Sequence, residues 1–364
     1  MKRIAVLTSG GDAPGMNAAI RAITLIGRAA GADIVGVERG YRGLLDDALI
    51  PLLPGDVAGI LREGGTMLGS ARCKEFHQRE VRDRAREILS KREVDGLIVI
   101  GGNGSLTGAL HLANPEEIGS GRPLKIMGIP ASIDNDLACT SMSIGVDTAM
   151  NTIVEACDRI FDTATAHKRT FIVEVMGRDC GYLAMTAGIA AGADAVLVRE
   201  ADKTEAQIVD QVVRTMQRAY GPQPTGAATK RRVLVIKSEG VTVESARLKE
   251  LVEERVRTLI PDVDTRVTVL GHVVRGGTPS AFDRLLGARL ANAALRAMVA
   301  GQSDFMAGWC GPGITRAPCP WDPYVVLTPL EEVLAETAKL MAGDSDLARW
   351  RKRVFAEVED ILQR

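Results

Sequence analysis

Short runs of apolar residues alternate along the chain with longer stretches in which apolar residues recur every three or four positions. The run GLIVI at residues 96–100 is apolar throughout, as expected for a strand buried on both faces of a parallel sheet. Residues 16–30 have helical spacing and consist mainly of good helix formers. This alternation predicts an α/β protein whose mostly parallel sheets are covered by helices on both faces.

The predicted elements follow this alternation over most of the chain. Strands are predicted at residues 4–8, 33–37, 96–100, 125–129, 170–175, 195–198, 233–237 and 266–270. Helices are predicted at residues 16–30, 80–91, 147–163, 182–191, 204–219, 244–259 and 280–300, between the loop at 101–105 and residue 112, and from residue 330 to the end. Because they contain Gly and Pro, residues 222–226 are predicted to form a surface loop and residues 311–323 an irregular stretch.

The composition is that of an ordinary globular protein. The chain has 364 residues, 46% hydrophobic and 25% charged, which suggests two or three domains with a substantial core. Its 45 Lys and Arg against 46 Asp and Glu argue against a nucleic-acid coat and against a polybasic membrane anchor. No apolar run reaches the ~20 residues of a transmembrane helix. The start turns to Gly-Gly-Asp too soon for a secretory signal, so we expect a cytoplasmic protein.

The cysteines and histidines do not form a recognisable metal or disulfide pattern. The 6 cysteines include no C-x-x-C pair, and the 4 histidines lack metal-ligand spacing. Reduced thiols in packing or surface positions are therefore expected.

Three glycine-rich loops follow predicted strands, where ligands bind in open α/β sheets. Residues 10–15 and 101–105 each lead from a strand into a helix, whose N-terminus favours an anion such as phosphate. The second loop departs from the dinucleotide fingerprint because Thr107 replaces its last glycine, and no P-loop sequence is present. The third loop, residues 64–72, ends in an arginine, a residue suited to bind phosphate. A structural role explains any one of these turns equally well.

Charged residues follow several strands. Asp134 has the chemistry to accept a proton from a hydroxyl, and Asp136 to hold Mg²⁺ through water, with Ser132 just before them. Taken alone, the tripeptide is better explained as a polar turn that caps the next element. A series of arginines beside glycines in a neutral chain suggests instead an anionic substrate. The charged residues at the later strand ends are Arg169, Arg178, Glu239, Arg266, His272 and Arg275.

Taken in order, these segments resemble the phosphofructokinase family. The matching segments are TSGGDAPGMNAAIR (8–21), GGTMLGSAR (64–72), IGGNGS (100–105), SIDND (132–136), EVMGRDCG (174–181), SEG (238–240) and RVTVLGHVVRGGTP (266–279). The resemblance implies the phosphofructokinase fold of two Rossmann-like domains. It places a larger nucleotide-binding domain at 1–145 plus 274–325, and a smaller sugar-phosphate-binding domain at 146–273 plus 326–364. It also implies phosphoryl transfer from ATP to the 1-hydroxyl of fructose 6-phosphate.

The resemblance implies a role for each matching residue. The expected nucleotide-site residues are Gly11, Arg72, Cys73, Gly102, Asn103, Gly104 and Ser105, with Mg²⁺ held near Asn103. The expected catalytic residues are Asp134 as the base and Arg178 as a stabiliser of the transferring phosphoryl group, with Ser132 and Asp136. The expected substrate-binding residues are Ser132, Ile133, Asp134, Arg169, Met176, Gly177, Arg178, Glu239, Arg266, His272, Val273, Val274 and Arg275. In the family, Arg169 and Arg266 reach a neighbouring active site, which implies a homodimer or homotetramer.

The donor side departs from the family pattern. Asn103 replaces a carboxylate that binds Mg²⁺, Ala131 replaces a glycine or lysine, and Cys73 replaces an aromatic residue. Members that use pyrophosphate commonly have Asp at the position of Gly104 and Lys at that of Ala131, so ATP is the expected donor. The alternatives are pyrophosphate, another acceptor such as sedoheptulose 7-phosphate, and a non-catalytic binding protein motivated by Asn103. A dehydrogenase is disfavoured by the broken dinucleotide fingerprint.

Overall fold

The computed structural model describes residues 2–114, 124–221, 232–260, 264–311 and 316–362. The chain divides into two compact units. Unit 1 comprises Met1–Thr148 and Arg275–Lys339, and unit 2 comprises Ala149–Val274 and Leu340–Arg364. The surface loop predicted at 222–226 lies outside the described residues, as does part of the irregular stretch predicted at 311–323.

Strands and helices alternate as the sequence predicts. The strands are β1 (Arg3–Ser9), β2 (Asp33–Val37), β3 (Leu49–Pro51), β4 (Gly96–Gly101), β5 (Lys125–Pro130), β6 (Arg169–Val175), β7 (Ala195–Leu197), β8 (Val233–Ser238), β9 (Asp264–Val269), β10 (Phe305–Trp309) and β11 (Val325–Pro329). The helices are α1 (Met16–Ala29), α2 (Gly40–Leu45), α3 (Arg79–Lys91), α4 (Asn103–Ala113), α5 (Val146–His167), α6 (Tyr182–Ala190), α7 (Glu205–Tyr220), α8 (Ser245–Val256), α9 (Ala281–Val299), α10 (Leu330–Ala342) and α11 (Asp346–Leu362). Short 3-10 helices lie at Ile60–Arg62, Lys74–His77, Arg199–Ala201 and Gly271–Arg275.

Unit 1 contains a seven-stranded sheet of order β11-β10-β5-β4-β1-β2-β3. The inner strands pair in parallel, and only the two edge strands, β3 and β11, run antiparallel to their neighbours. Side chains of β1 alternate between the two faces of the sheet, because successive residues of a strand point to opposite sides. Leu7 packs in the cluster of Leu44, Leu89 and Leu106 from α2, α3 and α4.

Unit 2 contains a four-stranded sheet of order β7-β8-β6-β9, parallel throughout. Its core joins Ile172 of β6 and Val235 of β8 to Val212 of α7 and Leu248 of α8. The edge strand β9 leaves Val269 60% exposed. These parallel sheets with helices confirm the predicted fold class.

The last quarter of the chain differs most from the prediction. We expected the chain to enter the smaller domain at residue 326, but this position lies within β11, which pairs with β10 in the larger sheet. The chain enters unit 2 only after Lys339. The predicted continuous helical tail is interrupted at Gly343, where φ is +83° and a left-handed backbone separates α10 from α11. Among the described residues, no helix has the length and apolar character needed to span a membrane.

Candidate active site

Three loops of unit 1 start at the same edge of its sheet. The register pairs Ser9 of β1 with Gly101 of β4, and Gly101 with Pro130 of β5, so these parallel strands end side by side. The amide of Ala131 continues the ladder by donating to the carbonyl of Gly101 over 3.0 Å. The loops at residues 10–15, 101–105 and 132–136 therefore lie next to one another, as expected for the ligand edge of a parallel sheet.

The glycines of the loop after β1 lie where a side chain would have little room. Gly10 has a φ of +88°, which favours glycine, and its carbonyl accepts a hydrogen bond from Ser70 Oγ at 2.6 Å. A Cβ on Gly11 would lie 2.5 Å from Nη1 of Arg275, which donates to the carbonyl of Asp12 at 3.2 Å. Arg275, predicted to bind the sugar phosphate, thus lies in unit 1 against the glycine loop.

Buried polar side chains hold the loop at residues 63–69. Asn17, only 1% exposed, donates to the carbonyls of Glu63 and Gly64 and accepts from the amide of Met67 at 2.7 Å. Thr8 donates to the carbonyl of Gly69 at 2.9 Å. Sequence analysis did not assign Thr8 or Asn17 to the site, although an asparagine in the apolar pattern of a helix is a signal that a backbone group needs a partner.

The residues that follow this loop face solvent. Arg72 is exposed and makes no hydrogen bond or ion pair with the part of the chain that the structure describes. Cys73 is half-buried, and burial together with the nearby Glu75 carboxylate raises the pKa of its thiol. Arg72 is therefore available to bind an anion.

The first turn of α4 offers backbone amides with open space in front of them. Asn103 and Gly104 are exposed, and a Cβ on Gly104 would meet no atom within 4 Å. Ser105 is buried, and its carbonyl accepts a hydrogen bond from the Tyr41 hydroxyl at 2.6 Å, which fixes the start of the helix. Free amides at the start of a helix form a binding site for phosphate.

The loop after β5 presents the predicted carboxylates on a rigid backbone. Ser132 Oγ donates to Asp136 Oδ1 at 2.7 Å. Asn135, with φ +49° and 1% exposed, donates to the carbonyl of Ser141 and accepts from the amide of Ser143. Ile133 is fully buried, so we assign its predicted substrate contact to the backbone. Asp134, between these two anchors, is half-buried.

A different carboxylate caps α5, the helix that follows. Asp283 is completely buried and accepts from the amides of Gly145 and Thr148 at 2.8 Å each, and from the Thr148 hydroxyl at 2.6 Å. Burial raises the pKa of Asp283 to about 6, although these hydrogen bonds oppose the shift. Because Asp283 caps the helix, Asp134 and Asp136 are not needed as its cap, and the polar-turn interpretation is weakened.

In unit 2, hydrogen bonds connect the ends of β6 and β8, which carry predicted substrate residues. The carbonyl of Gly177 accepts from Ser238 Oγ and from the amide of Gly240. The amide of Glu239 donates to the carbonyl of Val175 at 2.9 Å. Above this backbone the Glu239 side chain is exposed, and that of Arg178 is 79% exposed. The charged groups of Arg178 and Glu239 are therefore exposed to solvent, while hydrogen bonds fix the backbone that carries them.

The remaining predicted residues of unit 2 lie at the start of β6, along β9 and after it. Arg169 and Arg266 both pair with Asp264, at 2.9 and 2.7 Å. Their shared carboxylate limits where the two guanidinium groups lie. His272 and Val273 are exposed, whereas Val274 is fully buried and offers only its backbone.

The comparisons with known proteins agree with these features. The sequence model of the phosphofructokinase family matches residues 3–298. The chain belongs to the phosphofructokinase family. The resemblance drawn from the motifs is confirmed.

Two bacterial relatives are similar over most of the chain. The ATP-dependent 6-phosphofructokinase of Thermotoga neapolitana is 43% identical over 318 residues, covering 87% of this chain and 93% of that protein. The enzyme of the same name from Natranaerobius thermophilus is 44% identical over 308 residues, covering 85% and 89%. The solved phosphofructokinase of Saccharomyces cerevisiae matches with a TM-score of 0.82 and 34% identity, covering 100% of this chain. This chain spans half the length of the yeast chain.

In this phosphofructokinase, the predicted residues divide between the units. Unit 1 holds Gly11, Arg72, Cys73, Gly102, Asn103, Gly104, Ser105, Ser132, Ile133, Asp134, Asp136 and Arg275. Unit 2 holds Arg169, Met176, Gly177, Arg178, Glu239, Arg266, His272, Val273 and Val274. No group of three His, Cys, Asp or Glu side chains able to hold a metal occurs among the described residues. Asp136 and the exposed amide of Asn103 still suit Mg²⁺ that arrives with phosphates, since this ion usually keeps several waters and needs only one or two protein oxygens.

Proposed function

We propose that this protein is an ATP-dependent 6-phosphofructokinase, which phosphorylates the 1-hydroxyl of fructose 6-phosphate in glycolysis. The products are fructose 1,6-bisphosphate and ADP. The observation that carries the proposal is the edge of the unit 1 sheet, where the open first turn of α4 lies beside the loop of Asp134. The bacterial relatives named ATP-dependent 6-phosphofructokinase support the same reaction.

Asp134 is the proposed general base. It takes the proton of the 1-hydroxyl while that oxygen forms a bond to the γ-phosphorus, and the bond from the γ-phosphorus to the bridging oxygen breaks as ADP leaves. Its neighbours Ile133 and Asn135 are buried, so the carboxylate has a defined position. General-base catalysis requires such a position, because the carboxylate must lie within hydrogen-bond reach of the proton.

The proposed donor site relies on backbone groups and few charges. The amide of Gly104 and the guanidinium of Arg72 bind phosphate oxygens, and Gly11 lets the nucleotide approach the backbone. Ser105 fixes the turn, since its amide donates to the carbonyl of Gly102 at 3.0 Å. Asn103 and Asp136 would hold Mg²⁺, which supplies positive charge next to the transferring phosphoryl group. Gly104 leaves open the space that a nucleoside triphosphate needs, and Ala131 lacks the amine expected in a pyrophosphate site.

The proposed acceptor site relies on charged side chains. Arg178 stabilises the transferring phosphoryl group, and Glu239 accepts hydrogen bonds from sugar hydroxyls. The 6-phosphate is bound by arginines and a histidine, which suit a dianion. These residues are Arg169, Arg266, His272 and Arg275, and Met176, Gly177, Val273 and Val274 complete the acceptor site.

The proposed assembly is a homodimer or homotetramer in which Arg169 and Arg266 bind substrate in a neighbouring subunit. The edge strand β9 supports this arrangement because both Val269 and the Arg266 guanidinium are exposed. Exposed apolar side chains on an edge strand are typical of a contact surface. The proposed location is the cytoplasm.

A coupled assay tests the proposal. Purified protein is given fructose 6-phosphate and Mg²⁺ with either ATP or pyrophosphate, and fructose 1,6-bisphosphate is measured through aldolase. We expect turnover with ATP and none above the Asp134→Asn background with pyrophosphate. Turnover with pyrophosphate alone would contradict the donor, and no turnover with either would favour a non-catalytic binding protein.

A further inference from the structure

The loop that carries Arg178 is a tight turn whose two ends touch. Gly177 has a φ of +121°, and a Cβ placed on it would lie 2.5 Å from the carbonyl oxygen of Cys180. A displacement of Cys180 therefore moves the backbone next to Arg178. The side chain of Arg178 is 79% exposed and pairs with Asp179 of the same turn, so its position follows that of the turn.

The C-terminal helix α11 contacts this turn through one arginine. Arg351 is only 5% exposed, and its Nη1 donates to Sγ of Cys180 at 3.2 Å. The same guanidinium lies 5.0 Å from the ring centre of Tyr182, at the start of α6, a cation–π distance. Arg351 thus links the last helix of the chain to the end of the turn.

The segment Arg199–Ala201 holds the same turn from another position. Arg199 Nη1 pairs with Asp179 at 2.6 Å, and the amide of Gly181 donates to Glu200 Oε1 at 2.7 Å. Asp179 also pairs with Arg178 at 3.1 Å. Polar contacts therefore hold Asp179, Cys180 and Gly181, three consecutive residues of the turn.

Apolar packing is incomplete where α11 lies over this segment. A cavity of about 300 Å³ is lined by Val198 and Glu200 on one side and by Phe355 and Glu359 of α11 on the other. At the wall of this cavity, Lys203 pairs with Glu359 at 2.5 Å. Because part of the inner face of α11 borders a cavity, its polar contacts have a larger share in fixing the helix.

We propose that Arg351 is a positioning residue for catalysis, which holds Cys180 and thereby the turn that presents Arg178. This inference rests on the proposed function and adds a catalytic task for the C-terminal helix. Loss of the contact should lower kcat more than it changes the KM for fructose 6-phosphate, because Arg178 is assigned to the phosphoryl group in flight. A misplacement of about 1 Å is enough for a large loss of rate.

A double-mutant cycle tests the inference. Arg351→Met keeps an apolar stem over Tyr182 but has no donor, and Arg353→Met changes an exposed arginine on the same helix as a control. We expect about a 10-fold fall in kcat for Arg351→Met and less than about a 2-fold change for Arg353→Met. In an Arg178→Ala background, Arg351→Met should have less than about a 2-fold further effect, because its target is gone.

Two substitutions of Cys180 examine the same contact from its other side. Cys180→Ser keeps an acceptor for Arg351 and should retain most of the activity. Cys180→Ala should lower kcat as Arg351→Met does, and this fall should likewise disappear in the Arg178→Ala background. These variants also provide the test if Arg351→Met does not fold.

A lower Tm with unchanged kcat would overturn the inference and leave the proposed function intact. An equal loss in the presence and absence of Arg178 would overturn it as well. An unaffected kcat in Arg178→Ala alone would overturn both the role of Arg178 and the inference.

Discussion

The two units present their site residues in opposite ways. In unit 1, the loops after β1 and β4 are rich in glycine, and the buried side chains of Asn17 and Asn135 hold the loop at residues 63–69 and the loop after β5. In unit 2, the strand ends carry exposed charged side chains such as Arg178 and Arg266. Under the proposed function, we expect the donor to be recognised mainly by backbone groups and by available space, and the acceptor mainly by charge.

This contrast determines which substitutions do harm. A glycine loop fails when an added side chain occupies the ligand's space or strains the backbone. An exposed arginine contributes little to stability through its surface ion pair, so its removal should affect binding or rate rather than folding. We therefore expect different kinetic signatures from the two units.

The largest expected effect comes from Asp134, the one carboxylate of unit 1 to which we assign proton transfer. Asp134→Asn should lower kcat by about 10²–10⁴-fold with little change in fructose 6-phosphate binding. Steady-state kinetics and calorimetric binding of the sugar phosphate measure the two quantities separately. A loss of less than about tenfold in folded protein would remove Asp134 from the role of base.

The space in front of α4 gives the second prediction. Gly104→Asp should lower kcat/KM for ATP by about 10–100-fold, because a carboxylate would crowd and repel the nucleotide phosphates. Gly104→Ala is the matched control, since its Cβ enters open space. The KM for fructose 6-phosphate should change little in either variant. Equal losses in both variants would mean that the volume and not the charge is critical.

The charged edge of unit 2 gives the third prediction. Arg266→Ala should raise the KM for fructose 6-phosphate by about tenfold, as expected for the loss of a charge-assisted hydrogen bond. Arg255→Ala is the control, since Arg255 is similarly exposed and also pairs with an acidic side chain. Mixing inactive Asp134→Asn protein with Arg266→Ala protein should create hybrid sites with both groups intact. Failure of mixed oligomers to regain substrate affinity would argue against sharing between subunits.

The smallest expected effect concerns Asp283, the buried carboxylate that caps α5 in unit 1. Burial raises its pKa to about 6, so the native protein binds a proton more tightly than the unfolded chain does. The stabilisation from that proton is present near pH 4 and is lost as the pH rises through about 6. Between about pH 4 and pH 7, the Tm of the native sequence should therefore fall relative to that of Asp283→Asn by a few °C. The exposed Asp162→Asn is the control, and parallel Tm profiles of the native protein and Asp283→Asn would contradict the prediction.

The hydrophobic pattern predicted most of the inner strands, because their burial shows in a local run of apolar residues, but it did not predict β10. β4 is apolar at each position and appears where expected, at Gly96–Gly101. β3 was missed because it is a partly exposed edge strand of three residues. β10 and β11 were missed although they are mostly buried, because their pairing depends on residues far away in the chain. The two residues of the Phe305–Pro329 pair, for example, are joined by the sheet and not by any local pattern.

The glycine loops and carboxylates of the site were also predictable, because each lies in a distinctive local segment. Tertiary contacts were not. Asp283 looks like an ordinary acidic residue in the first turn of α9, where it would favour the helix dipole, and its burial against Gly145 is visible only in the fold. The contact of Arg275 with Gly11 joins residues from opposite ends of unit 1, and nothing in either motif indicates it.

The most direct test of the central claim is ³¹P NMR of a reaction that contains the protein, ATP, Mg²⁺ and fructose 6-phosphate. We predict that the ATP resonances are replaced by those of ADP while a second sugar phosphate ester appears in equal amount, and that Asp134→Asn nearly abolishes both changes. Release of inorganic phosphate without a new ester would contradict the account, and so would a new ester that forms only in a parallel reaction with pyrophosphate in place of ATP.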